Sequence, residues 1–186
     1  MTNATKRVAV YIDGSNLYFK LKELGLSELN RFNYRGLADW LSHTRKVISY
    51  RYYIGVVRAK IHNTKGQELR KEQQRLFSHL LSKGQEFAIK RGYIMDNDGM
   101  YHEKGVDVKL AVDLLVGAYE DMYDVAIIIS SDTDLIPVIK KVRHLRKEVE
   151  YIGFAHQPSL ALQRYANLSR LMIKEELKKF EYSKKP

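Results

Sequence analysis

Acidic side chains stand at three places in the chain where a strand should end or a helix should begin. Asp13 follows the first apolar run, and Asp132 and Asp134 follow the most apolar run of the second half. Asp107 opens a segment with helical spacing. Carboxylates held at short range repel each other, and a bound divalent cation offsets that repulsion. The pattern therefore predicts a cation site made of carboxylate oxygens, with Asn16 close by.

The donor set points to magnesium or manganese. The chain has no cysteine and no His-x-x-x-His pair, so the usual zinc ligands are missing from the sequence. Hard oxygen ligands select Mg²⁺ or Mn²⁺. An ion held in this way lowers the pKa of a bound water and stabilises charge on a phosphate during in-line displacement. The predicted chemistry is phosphoryl transfer or hydrolysis.

Each acid also has a purely structural interpretation. Asp13 can form an Asx-turn around Gly14, Asp132 can cap a helix, and Asp107 can be an acid of a first turn. For Asp132 and Asp134 taken singly, capping is the better explanation. Four acids at converging chain ends favour the cluster, and whether Asp134 is a ligand or a cap stays open.

Asp113 lies six residues beyond Asp107, about 120° away around a helix. It should therefore point away from the cluster. We expect it to pair with Lys109 four residues earlier or to support the site from an outer shell.

Strand-like and helix-like segments alternate along the chain, which predicts an α/β fold with a mostly parallel central sheet and helices on both faces. In such sheets, ligands bind outside the carboxyl ends of the strands. If the first and fourth predicted strands are neighbours, the acids meet at one edge. The strands are predicted at residues 7–12, 47–57, 87–95, 124–129 and 149–154. The helices are predicted at 15–24, 34–42, 65–82, 106–119, 135–145 and 159–166, with a hairpin turn at 96–99.

The charge balance favours a polyanionic partner. The formal net charge is +10 and the calculated pI is about 9.6, and basic proteins gain affinity for nucleic acid by releasing its counterions. Lys104, Arg58 and Lys60 are predicted to contact substrate phosphates at the same edge. Tyrosines near that edge could stack on unpaired bases, the candidates being Tyr52, Tyr53, Tyr93 and Tyr101.

Length and composition predict a single domain over residues 1–186, with a charged helical tail from about residue 174. The polar start of the chain is not a signal peptide, and no apolar stretch is long enough to span a bilayer, so a cytoplasmic protein without membrane contact is expected.

Neither a P-loop nor a G-x-G-x-x-G motif is present. A haloacid-dehalogenase-type phosphatase would need a second acid two residues after Asp13, where Ser15 stands.

Three segments together resemble the NYN domain family, a branch of the PIN-like nuclease superfamily that includes the LabA-type bacterial proteins. They are VAVYIDGSNL at residues 8–17, KGVDVKLAVDLL at 104–115 and DVAIIISSDTDLIPVI at 124–139. IDGSN alone is a modest signal. All three segments in this order are specific.

The resemblance implies a Rossmann-like PIN fold and a metal-dependent ribonuclease that hydrolyses RNA phosphodiester bonds. A homodimer is an expected assembly, because PIN-like domains frequently pair. The alternative is a non-catalytic RNA-binding or scaffold module with the same fold. Carried over by position, Asn16 helps to order the site. Ser131, which stands where family members often have glycine, is predicted to contact substrate. The metal-binding acids implied by the resemblance are Asp13, Asp107, Asp132 and Asp134.

Overall fold

One sheet organises the computed structural model, which describes residues 5–57, 64–97 and 100–182. Within those ranges the sheet has seven strands in the order β4-β3-β2-β1-β5-β6-β7. Every neighbouring pair is parallel except β3 and β4, which are antiparallel. The strands are β1 Arg7–Asp13, β2 Lys46–Val56, β3 Ala88–Asn97, β4 Met100–Lys104, β5 Val125–Ile129, β6 Glu148–Phe154 and β7 Leu168–Met172.

Helices cover both faces of the sheet. Apolar side chains of α1, α2, α3 and α7 pack on one face, and those of α4, α5 and α6 pack on the other. In the described part of the chain, no helix is long and apolar enough to cross a membrane. The helices are α1 Gly14–Glu23, α2 Tyr34–Ser42, α3 Thr64–Leu81, α4 Val106–Tyr119, α5 Ile136–His144, α6 Leu160–Tyr165 and α7 Lys174–Leu177. Short 3-10 turns occupy Leu29–Arg31, Thr133–Leu135 and Lys178–Phe180.

The central strands are buried on both faces, which explains why they are continuously apolar in the sequence. In β1, Val8, Val10 and Ile12 enter the core under α1, α2 and α3. Ala9 and Tyr11 enter the core under α4 and α5. This period of two gives each face of the sheet its own hydrophobic layer.

The predicted α/β architecture is confirmed, and the helices at 34–42 and 106–119 have the predicted bounds. Two strands were missed. β4 is five residues long with the polar sequence MYHEK, and it forms only because β3 offers an antiparallel partner. β7 is a short edge strand with exposed residues at its start, so it lacks the apolar run that marks the inner strands.

The turn predicted at 96–99 connects β3 to β4, whose backbones pair at Asn97 and Met100; residues 98 and 99 lie outside the described ranges. The helix predicted at 135–145 begins instead with a 3-10 turn, followed by α5. Near the C-terminus, Leu177 is buried and Phe180 O accepts a 2.8 Å hydrogen bond from Asn33 N.

The topology brings the predicted acids to one edge. β1 and β5 are parallel neighbours with Ile12 opposite Ile129, so Asp13 and Ser130 leave the sheet side by side. The first and fourth predicted strands are therefore neighbours, which is the condition under which the acids were expected to meet. α4 starts from Gly105, which adopts a left-handed conformation (φ 75°), directly after Lys104 ends β4. Because Lys104 pairs with Tyr93, which lies opposite Val56 at the carboxyl end of β2, the start of α4 lies at the same edge.

Candidate metal centre

Three of the predicted acids come together at the carboxyl edge of the sheet. One carboxylate oxygen from each of Asp107, Asp132 and Asp134 lies within 4.8 Å of the other two. We call these residues the acid triad. Asp107 belongs to the first turn of α4, Asp132 is the N-cap of the 3-10 turn that follows β5, and Asp134 lies within that turn. Three hard oxygen donors at this spacing fit the requirements of Mg²⁺ or Mn²⁺.

Backbone hydrogen bonds fix Asp132 within the triad. Its Oδ1 accepts a 2.9 Å bond from Asp134 N, which caps the 3-10 turn. Its own N donates a 3.1 Å bond to Ser130 Oγ. Asp132 therefore caps the turn and faces Asp107 at the same time. Because Asp132 caps the 3-10 turn, Asp134 is not the cap, and its carboxylate lies in the triad.

Among the described residues, the acid triad does not include Asp13. Its Oδ1 accepts a 3.1 Å bond from Asn16 N and so caps α1, and its Oδ2 accepts a 2.8 Å bond from Ser130 Oγ. Burial raises the pKa of Asp13 to about 6, the negative charges of Glu103 and Asp132 add to the rise, and the two hydrogen bonds oppose it. Asp13 is thus a half-buried acid linked to Asp132 through Ser130, and its role as a metal ligand stays a prediction.

Asn16 and Ser131 join α1 to the loop after β5. Asn16 Oδ1 accepts a 3.1 Å hydrogen bond from Ser131 N. Ser131 Oγ is buried and has no hydrogen-bond partner among the described residues. The structure therefore does not present this hydroxyl to a substrate, because the bond to Asn16 holds the loop with the side chain turned inward. The hydrogen bond between Ser131 and Asn16 is made by the backbone N–H of Ser131.

The predicted basic contacts are described only in part. Lys104 is exposed at the end of β4, three residues before Asp107. Arg58 and Lys60 lie outside the described residues, so their contacts with substrate phosphates stay predictions.

Among the candidate tyrosines, Tyr52 and Tyr53 are fully buried in the core, so neither ring can stack on a base. Tyr93 is 48% exposed, and the ring of Tyr101 lies outside the described part of the chain.

Glu103 is an acid of this edge that the sequence did not indicate. Its Oε1 accepts a hydrogen bond from Gly55 N at the end of β2. A Cβ at position 55 would come within 2.9 Å of Glu103 Cγ, so glycine is needed for this contact. The negative charge of Glu103 raises the pKa of Asp13. Glu103 lies in β4, a short polar strand that the sequence pattern did not predict, so its position beside β2 could not be predicted from the sequence.

Asp113 has a structural role away from the triad. It accepts a 2.8 Å hydrogen bond from Tyr53 Oη and forms ion pairs of 3.4 Å with Arg51 and with Lys90. Its predicted pairing with Lys109 is wrong, because Lys109 Nζ donates to the backbone oxygen of Arg91 instead, at 2.8 Å. Asp113 therefore fastens α4 to β2 and β3, which indirectly positions Asp107.

Comparison with known proteins agrees with this architecture. A crystal structure of a protein of unknown function from Vibrio parahaemolyticus is similar, with a TM-score of 0.67 and 21% sequence identity over 92% of this chain and 96% of that one. At this identity the likeness shows the fold alone. No curated protein sequence matches the chain. The family model described as "NYN domain" matches residues 7–170. The chain therefore belongs to the NYN domain family, within the PIN-like nuclease superfamily.

Proposed function

We propose that the protein is a ribonuclease that hydrolyses RNA phosphodiester bonds with Mg²⁺ or Mn²⁺ held by the acid triad. The observation that carries the proposal is the approach of three carboxylates to within 4.8 Å in a chain whose net charge is +10. A domain with this positive charge attracts polyanions. Among the described residues, the triad is the only group of three or more acids close enough to hold a cation together. NYN domains generally act on RNA, which supports RNA as the substrate.

The side chains around the triad hold it in one arrangement. Asp132 is fixed by its bonds to Ser130 Oγ and Asp134 N, and Asp107 is fixed by the position of α4. When bound there, a divalent cation offsets the repulsion of the carboxylates and stabilises the charge that develops on a phosphate. The orientation of the acids is thus set before substrate arrives, which is what electrostatic stabilisation of a transition state requires.

Asp13 and Asn16 are proposed as positioning residues of this site. Asp13 holds Ser130, which in turn holds Asp132, and Asn16 holds the backbone of Ser131. Lys104 is proposed to bind a substrate phosphate, since it is exposed three residues before Asp107. Arg58 and Lys60 are proposed as further phosphate contacts on the strength of their charge and position in the sequence.

The test is cleavage of a 5′-labelled single-stranded RNA with Mn²⁺, with Mg²⁺ and with EDTA. We expect the Asp107→Asn/Asp132→Asn double variant to lose at least about a hundredfold in rate, because removing about 3 kcal/mol of charge stabilisation has that effect. Glu120→Gln is the matched control, since Glu120 is an exposed acid at the other end of α4. Equal cleavage by wild type and double variant would contradict the proposal. Salt-dependent RNA binding without cleavage by the wild type would support the binding module instead.

A further inference from the structure

A second feature of the carboxyl edge is a cavity of about 610 Å³ beside the end of β1. Its lining comes from the start of α1, the end of β2 and one side of α3. Ligand sites in proteins typically have volumes of about 300–1,000 Å³. The cavity is therefore large enough for a small organic group, and nothing in the acid triad accounts for it.

The cavity is lined in part by residues that lie next to acids of the carboxyl edge. Gly14 and Ser15 line it and directly follow Asp13 in the chain. Gly55 also lines it, and the N–H of Gly55 binds Glu103, whose charge acts on Asp13. The cavity and the acid triad therefore lie at the same carboxyl edge of the sheet.

The chemistry of the lining favours a flat aromatic group. Ile54, Leu69 and Leu76 contribute apolar surface, and Tyr18 adds a ring that is 38% exposed. Aromatic rings of this kind stack on nucleobases irrespective of sequence.

The rim of the cavity carries both signs of charge. Lys22 and Glu28 are exposed there. The carboxylate of Glu72 is occupied by Asn30 Nδ2 at 3.0 Å and by Arg75. The rim therefore presents no strong net repulsion to a polyanion.

We propose that this cavity receives one nucleobase of a single-stranded RNA, with the ring of Tyr18 stacked on the base while an adjacent phosphate lies at the acid triad. The inference rests on the proposed function. Bases in a duplex are paired and stacked inside the helix, whereas unpaired bases can turn outward into a pocket. The cavity therefore selects single-stranded over double-stranded RNA.

The experiment measures the affinity of a 5′-fluorescein-labelled 12-nucleotide single-stranded RNA by anisotropy at fixed salt. Asp132→Asn is the background, so that the RNA is not cut. Adding Tyr18→Ala is expected to weaken binding about five- to a hundredfold, the range of one base–aromatic stack. Tyr18→Phe should restore it. Phe19→Ala is the matched control, because Phe19 is 59% exposed on the same helix, touches the Tyr18 ring and does not line the cavity.

A second variant tests the cavity without the aromatic ring. Leu69 is 42% exposed and lines the cavity, so Leu69→Glu places a negative charge there at little cost to folding. We expect it to weaken binding of the single strand as Tyr18→Ala does, and to leave binding of a 12-base-pair RNA duplex unchanged. Thermal unfolding of each variant verifies that the fold is retained.

The two proposals fail separately. Unchanged affinity in both Tyr18→Ala and Leu69→Glu would overturn the base site, while metal-dependent cleavage by the wild type would leave the proposed function standing. Equal losses in Phe19→Ala and Tyr18→Ala would also overturn the stacking role. If the wild type does not cleave RNA but binding still depends on Tyr18 and Leu69, the base site stands and the ribonuclease proposal falls.

Discussion

Ser130 Oγ donates a 2.8 Å hydrogen bond to Asp13 Oδ2. The same hydroxyl oxygen accepts a 3.1 Å bond from Asp132 N. A single side chain therefore connects Asp13, the half-buried acid at the end of β1, to Asp132, the triad acid after β5. The connection makes the geometry of the triad depend on a residue that does not belong to it.

Ser130→Ala removes this connection. We expect the free energy of unfolding to fall by about 1–3 kcal/mol, because Asp13 Oδ2 and Asp132 N lose a partner in a largely buried place. The affinity for Mn²⁺ should fall as well, since Asp132 is no longer held. Urea unfolding and a Mn²⁺ titration measure the two effects. Ser130→Thr keeps the hydroxyl and serves as the control; the same loss of Mn²⁺ affinity in Thr and Ala variants would argue against the hydroxyl.

Asp13 should make stability depend on pH. Its pKa rises from 3.8 to about 6 on folding because of burial. Between these values the folded protein binds more protons than the unfolded chain, so this group lowers the free energy of unfolding as pH rises through that window. Below about pH 3.8 the carboxyl is neutral in both states and has no effect. Above about pH 6 it is ionised in both states, and the decrease in the free energy of unfolding is complete.

Asp13→Asn should remove that loss while keeping an acceptor for Asn16 N. We compare the free energy of unfolding of the variant with that of the wild type in EDTA. The variant's value minus the wild-type value should increase by about 1–3 kcal/mol between pH 4 and pH 7. Urea unfolding at several pH values measures it, with Glu120→Gln as the reference. A difference between variant and wild type that is constant over pH would show that Asp13 is not buried as described.

Asp107 and Asp113 lie on the same helix and should respond in opposite ways. Mn²⁺ is expected to raise the Tm of the wild type, because a ligand that binds only the folded state stabilises it. Asp107→Asn should abolish this rise without loss of stability in EDTA, since it removes one of three repelling charges. Asp113→Asn should cost about 1–3 kcal/mol, because Arg51 and Lys90 lose their partner, and should keep the rise.

Thermal unfolding with and without Mn²⁺ measures both responses. A Mn²⁺-dependent rise in Tm that survives in Asp107→Asn would mean that the cation binds elsewhere.

Gly14 is required for close packing at the start of α1. A Cβ there would lie 2.2 Å from Tyr52 Cε1 and 2.7 Å from Tyr53 O. We expect Gly14→Ala to lower the free energy of unfolding by about 1–3 kcal/mol, because the helix start must shift away from β2. Ser15→Ala, one residue along, is the control and should change stability much less. Urea unfolding of the two variants compares them directly; equal stabilities would contradict the packing argument.

Local patterns predicted much of the fold. α2 and α4 were predicted with their observed bounds, because each has helical spacing of apolar residues between clear polar breaks. β1 and β5 were predictable because burial on both faces makes them continuously apolar. β4 and β7 were not, since short edge strands carry no such run and exist only by pairing with a neighbour.

The sequence by itself determined which acids stand at strand ends or helix starts, and the rule that parallel strands share a carboxyl edge placed Asp13, Asp132 and Asp134 at one edge. Only the tertiary structure decided that β4 brings Asp107 to that edge, that Asp13 is bonded to Ser130 and that Glu103 lies against β2. The last two placements depend on hydrogen bonds from the hydroxyl of Ser130 to Asp13 and from the amide of Gly55 to Glu103. Such contacts join residues 117 and 48 positions apart, and no local pattern encodes them.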